Sequence, residues 1–202
     1  MDIVVDAVKK LQDTLRHSGC EEGPVVLRID PDVVPCQYEK GACMEAGFGG
    51  RTGEFVTFDP IRAITKLEFM FGAPLNTPAT RAAACAVLNV VTAFLCLSRG
   101  VRACPLSSHP TCRQELTKKL RTTTRVYCIG SFPPAIQETG GFIVDNPDIA
   151  DCILVNNEGL IAEGTGDLIE KYRENKMVLL LGPSTAGIAS LERLERFCPY
   201  GT

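Results

Sequence analysis

Three segments in the second half of the chain set polar or conformationally permissive residues directly after apolar runs. Gly130-Ser131-Phe132-Pro133-Pro134 follows the run 125–129, and Asn156-Asn157-Glu158-Gly159 follows 152–155. Gly182-Pro183-Ser184-Thr185-Ala186-Gly187 follows 177–181. If the three runs are parallel strands, these segments lie beyond their carboxyl ends, where open α/β sheets bind ligands. The expected ligand-binding set is therefore Gly130, Ser131, Asn156, Asn157, Gly182, Ser184 and Thr185. The third segment leads into a helix, whose outward amides and dipole favour an anion. Ser184 or Thr185 serves equally as an ordinary N-cap there. Glu158 is the candidate general acid/base, and it serves equally as a turn-capping or solvated residue.

A second constellation is Cys104-Pro-Leu-Ser-Ser-His109-Pro-Thr-Cys112, with two thiols and an imidazole close in sequence. Thiolate and imidazole suit zinc, iron or nickel, and Cys36, Cys43 or Cys96 could supply a fourth ligand. The spacing is not that of a zinc finger. Pro105 and Pro110 also suit a plain turn ahead of a helix over 111–120. His17 reads as a solvated residue at a helix end. No strand is followed by G-x-G-x-x-G, and no phosphate-binding G-x-x-x-x-G-K-[ST] occurs, so NAD and ATP are disfavoured. No G-x-S-x-G elbow, H-E-x-x-H or paired-carboxylate motif occurs either.

The elements that must hold these residues follow from periodicity. Val4, Val8, Leu11 and Leu15 recur at helical spacing over 3–15, and 25–29 reads as a short strand. From Cys36 to Gly53 the chain is glycine-rich without hydrophobic period, which predicts a long loop or lid. Asp59-Pro60 and Thr77-Pro78 both carry the acceptor-then-proline signature of a helix start. The second of them opens an apolar helix to about Ser98. Buried strands over 125–130, 141–144, 152–155 and 177–181 alternate with helices over 167–174 and 186–197. That alternation predicts an α/β protein with a Rossmann-like parallel sheet over 76–202, after a small α+β part over 1–75. The boundary falls among Gly72, Pro74 and Pro78.

Composition narrows the classes. The 202 residues are 45% hydrophobic and 22% charged, which is ordinary for a globular chain. Lys and Arg number 21 against 24 Asp and Glu, with no basic block, so nucleic acid is not an expected partner. The uncharged run 82–98 is at the short limit for a membrane span and carries Asn89 and Thr92, so a buried helix is expected. Ten cysteines are unusual, but Asp2 and Asp6 stand where a secretory signal needs basic residues. A reducing cytoplasm is therefore expected, with Cys85, Cys96, Cys128 and Cys152 as small core residues.

Two stretches carry a resemblance. The run 125–134, a strand closed by G-x-F-P-P, is similar to a segment of the DUF364 family. Residues 152–184, with GLIAEGTGDLIEK and VLLLGPST, resemble that family's closing βαβ unit. The apolar helix from Pro78 to Leu97 resembles the helix that precedes the family's Rossmann strands. The likeness covers roughly residues 75 to 190 and implies a Rossmann-like domain, often preceded by a small domain resembling the N-terminal domain of enolase. The family is described as heavy-metal chelation proteins. The resulting expectation is a protein binding a small molecule, a metal or a metallo-cofactor precursor at the sheet's carboxyl edge, with a homo-oligomer left open. The alternatives are an enzyme acting on a small anionic metabolite through Glu158, and a regulatory subunit that docks a partner.

Overall fold

The computed structural model describes residues 1–120, 125–132 and 142–202. The chain runs α1 (Ile3–Leu15), β1 (Pro24–Asp30), β2 (Ala42–Phe48), β3 (Arg51–Thr57), β4 (Ala63–Lys66), α2 (Glu68–Phe71) and α3 (Pro78–Phe94). It continues α4 (His109–Leu120), β5 (Arg125–Ile129), β6 (Phe142–Ile143), β7 (Cys152–Val155), α5 (Asn157–Ile161) and α6 (Thr165–Tyr172). It closes with β8 (Met177–Leu181), α7 (Ala186–Glu192) and β9 (Glu195–Phe197). Two sheets result: an antiparallel one in the order β3-β2-β1-β4, and an all-parallel one in the order β6-β5-β7-β8-β9.

The local reasons are visible in the sequence. Asp2 caps α1 by accepting from the Val4 and Val5 amides, and Ile3, Val4, Ala7, Val8, Leu11 and Leu15 form its buried face. Thr77 caps α3 in a capping box with Thr80, and Pro78 occupies the first turn, where no amide hydrogen is required. α3 is buried nearly all round between Arg81 and Thr92, because it packs on β2 and β3 and also on α1 and α7. That explains the uncharged run without a bilayer. No helix among the described residues is long and apolar enough to cross a membrane. The main core joins α1, the inner face of the antiparallel sheet, α3 and residues of β7, β8 and α7. A second cluster under α4 holds Leu116, Leu120, Leu154 and Leu179 together with Cys36 and Tyr38.

The expected α/β class and the parallel arrangement of 125–129, 152–155 and 177–181 are observed. Three local expectations are corrected. The stretch 36–53 is not a lid: its second half is β2 and the start of β3, joined by a two-residue turn in which Gly49 and Gly50 have φ of 55° and 76°. Positive φ at both positions is what a tight hairpin turn requires. The strands lack a period of two because both their faces are largely covered. Asp59-Pro60 does not start a helix. The chain stays extended to form β4 on β1, and only the four-residue α2 follows. The closing helix is shorter than expected, since Arg193 adopts φ 53° and β9 then joins the sheet beside β8. Of the expected strand 141–144, Phe142 and Ile143 form β6, while Gly141 lies outside the described residues.

One edge of the antiparallel sheet is closed by charge. Glu45 and Glu54 are directly opposite each other and buried, an arrangement that would repel if left bare. Arg28 pairs with Glu45, the Arg102 Nε sits 3.2 Å from Glu54 Oε1, and the Ala103 amide donates to Glu54 Oε2 at 2.7 Å. The Glu54 amide in turn donates to the Val101 carbonyl at 2.9 Å, so the chain around 101–103 covers the β3 edge.

Candidate functional site

The strand order determines where a site can form. From β5 the chain steps outward to β6, then crosses back to β7 on the other side of β5 and continues through β8 to β9. The connections therefore diverge between β5 and β7, which is the topological switch point of this sheet. Gly130 and Ser131 follow β5, and Asn156, Asn157 and Glu158 follow β7, so the fold brings these residues to one place. Pro133 and Pro134 lie outside the described residues.

Backbone crowding at this crossing is severe. Gly130 has φ of 107°, and a Cβ there would lie 1.9 Å from Asn156 Oδ1. A Cβ on Gly159 would lie 2.0 Å from the Ile129 carbonyl oxygen. The second contact is with main chain, which cannot rotate aside. Gly159→Ala is therefore expected to cost more than about 4 kcal/mol in urea unfolding, or to prevent folding. Gly164→Ala, at φ 80° but in open space, should cost only about 1 kcal/mol. Equal losses at the two positions would mean that α5 shifts readily away from β5.

Most of the side chains at this edge are committed to the chain itself. Asn156 accepts from the Gly159 amide at 3.0 Å and donates to the carbonyls of Ser131 at 2.8 Å and Tyr38 at 3.2 Å. Asn157 donates to the Val56 carbonyl at 2.7 Å and the Lys40 carbonyl at 3.4 Å, while its Oδ1 is buried without a partner among the described residues. Ser184 accepts from the Val56 amide at 3.0 Å through its hydroxyl, and Thr185 donates to the Gly182 carbonyl at 3.1 Å. All four are buried. Asn156, Asn157 and Ser184 fasten the antiparallel sheet and the segment 36–40 to the carboxyl edge of the parallel one, while Thr185 closes its own turn.

The acceptor for the turn before α7 is supplied internally, by a carboxyl rather than by a bound anion. The Ser184 amide donates to Glu39 Oε1 at 3.0 Å, and the absent side chain of Gly182 makes room for that carboxyl. Glu39 is buried, and its Oε2 has no partner among the described residues. Burial pushes its pKa up to about 8; the Ser184 amide and Arg196 oppose that rise, and Glu54 adds to it. Glu39 is the residue that sequence reading missed. Its carboxyl meets a turn 145 positions away, and no local signal marks that.

Glu158 is different. It is half-buried, and its Oε1 is buried without a partner among the described residues. Desolvation raises its pKa above the usual carboxylate range, the Phe58 amide opposes the shift, and Asp59 adds to it. Ser131 is exposed beyond β5 and Phe58 is exposed beyond β3, so this end of the edge is open to solvent.

The cysteine constellation does not assemble into a metal centre. Among the described residues no group of three or more His, Cys, Asp and Glu side chains is arranged to hold a metal ion. Cys104 and Cys112 are buried, and Cys112 Sγ lies 3.6 Å from the Tyr38 hydroxyl. His109 Nε2 is buried without a partner among the described residues, and burial lowers its pKa, with Arg113 acting the same way. Burial also raises both thiols, which disfavours the thiolate form a metal needs. Cys43 is not on a flexible loop but in β2, and burial raises it and Cys36 as well. These residues as arranged do not fit a resident zinc, iron or nickel. Cys85 and Cys152 are core residues as expected and Cys128 is partly buried, but Cys96 is exposed just beyond α3, at φ 57°.

No family model matches the sequence, and no curated protein matches it. The structure is similar to the crystal structure of a DUF364 family protein of unknown function from Pyrococcus horikoshii. The TM-score is 0.52 and the identity 15%, and the match covers 90% of this chain and 79% of that one. At that identity the likeness is one of fold. The resemblance to the DUF364 family read from 125–134 and 152–184 is borne out at that level, and it now extends over the antiparallel N-terminal part as well.

Proposed function

We propose that this protein binds a small molecule at the carboxyl edge of its parallel sheet, where β5 and β7 diverge, with Glu158 as the polar centre of the site. The observation that carries this reading is the unpartnered, buried Oε1 of Glu158 at the switch point. A buried acceptor without a donor is costly, and a ligand bearing an N–H or O–H group relieves that cost. Ser131 offers a hydroxyl on the facing strand end, and the exposed Phe58 ring offers an apolar wall. The Ser184 amide that an anion would use is already taken by the Glu39 carboxyl, so the ligand is a hydrogen-bond donor at Glu158 rather than an anion at Ser184.

A second reading is favoured by the raised pKa of Glu158: an enzyme that uses this carboxyl as acid and base. One substitution separates the two. Native mass spectrometry of the full chain, purified without chelator, reports any co-purified metal or organic ligand. In the binding reading, Glu158→Gln lowers affinity for that species about 10-fold, since a hydrogen bond to a charged carboxylate becomes one to a neutral amide. In the enzyme reading the same change removes turnover while affinity is largely retained. Wild type and Glu158→Gln carrying the same species with equal affinity, and neither converting it, would defeat both.

A further inference from the structure

We propose that the cleft between the β2–β3 hairpin and the loop after α3 binds a phosphoryl group. The cleft has a volume of about 460 Å³, more than a lone phosphate needs and within the range of small-molecule sites, about 300–1,000 Å³. Arg51, Arg99 and Arg102 line it, together with Ser98, Gly100 and Val101 and no aspartate or glutamate. Arg102 is engaged by Glu54, with its Nε 3.2 Å from that carboxylate. Arg51 and Arg99 are exposed, and among the described residues neither side chain has an ion pair or hydrogen bond, not even with the Thr202 carboxyl bordering the cleft. Two unspent guanidinium groups, each a planar fork of donors, match the oxygens of a phosphoryl group.

The main chain adds two donors to the same cleft. The Arg196 guanidinium donates to the carbonyls of Arg99 at 2.6 Å and Gly100 at 2.9 Å. A trans peptide sets its N–H opposite its C=O, so the Gly100 and Val101 amides point away from Arg196. Gly100 and Val101 line the cleft and Arg196 does not, and neither amide has an acceptor among the described residues. Gly100 has φ of 58°, the left-handed backbone by which successive amides curve around one anion. The nearby C-terminus of α3 does not account for the arginines. Its last carbonyls already accept from the amides of Leu95, Cys96, Leu97 and Ser98, so no side chain is needed to cap them. The walls are fixed in advance. Phe48 and Phe94 pack edge to face at 5.2 Å, which holds the hairpin to the end of α3, and the Thr92 and Ser98 hydroxyls are 2.7 Å apart. Donors held in place lose little freedom when a ligand arrives.

Isothermal titration calorimetry of the full chain, at low ionic strength, with inorganic phosphate and with phenyl phosphate is the test. One molecule per chain should bind, with a Kd of roughly 100 µM or below for the tighter of the two. Tighter binding of phenyl phosphate assigns the cleft to a phosphorylated small molecule, and equal affinity assigns it to the free ion. Arg51→Ala and Arg99→Ala should each weaken binding about tenfold, with the melting temperature unchanged because both side chains are exposed. Arg62→Ala removes the same charge from an exposed position outside the cleft and should leave affinity unchanged. In two-dimensional amide NMR spectra the Gly100 and Val101 resonances should move as ligand is added. No saturable binding of either compound up to about 10 mM, equal weakening by Arg62→Ala, or binding that leaves those two amides unmoved would each overturn the proposal.

Discussion

Glu39→Gln is expected to raise stability by roughly 3–5 kcal/mol at pH 8 while leaving it almost unchanged near pH 4.5. In the folded chain this carboxyl is buried, with one oxygen on the Ser184 amide and the other without a partner among the described residues. Its folded pKa, about 8, lies well above the ordinary 4.5, so the folded state keeps a proton that the unfolded chain releases. Stability from this group is fully present below 4.5, declines as pH rises, and is lost through pH 8. The slope is negative because the folded state binds more protons across that window, at about 1.4 kcal/mol per pH unit. Glutamine keeps the acceptor for Ser184 and has no proton to lose. Urea unfolding of both proteins at several pH values between 4.5 and 8 isolates the group, since every other titration is common to the pair. Parallel stability curves would show that Glu39 is ionised throughout, with Arg196 as its counter-charge.

The second large effect is expected at Asn89. From the middle of α3 its amide nitrogen donates to the Glu54 carbonyl at 2.7 Å and the Ser184 carbonyl at 2.9 Å. Its oxygen accepts from the Gly187 amide at 2.7 Å, so one side chain joins α3 to β3, to the turn after β8 and to α7. All of this is buried. Asn89→Leu conserves size but leaves two carbonyls and one amide without partners, each costing about 1–3 kcal/mol. The surroundings cannot easily readjust. A Cβ on Gly53 would lie 2.7 Å from the Val90 nitrogen, and one on Gly187 would lie 2.7 Å from the Leu88 carbonyl carbon. A loss of about 3–5 kcal/mol in chemical denaturation is expected, enough to unfold many domains of this size. A loss below about 1 kcal/mol would mean that water enters and replaces the amide.

What the sequence determined by itself is the part written in local chemistry. The runs 125–129, 152–155 and 177–181 were legible as strands of one parallel sheet because residues buried on both faces are apolar without interruption. α1 was legible because Val4, Val8, Leu11 and Leu15 keep helical spacing, and α3 because Thr77-Pro78 opens an uncharged apolar run. The grouping of Gly130, Ser131, Asn156, Asn157 and Glu158 follows from the same rule, since strand ends of a parallel sheet share an edge. The hairpin at Gly49-Gly50 carried a usable turn signal, which the buried charges and small residues around it obscured. Only the tertiary structure decided which edge residues are free. Asn156, Asn157 and Ser184 have the chemistry of ligand-binding groups, but the segment 36–40 and β3 fold against them and take up the hydrogen bonds of Asn156 and Ser184 and of the Asn157 amide nitrogen. Glu39 and Asn89 acquire their roles from partners between 35 and 145 positions away. Hydrogen-bond satisfaction in a buried layer is a property of what packs on both sides of it, and a residue's own neighbours in the chain do not encode that.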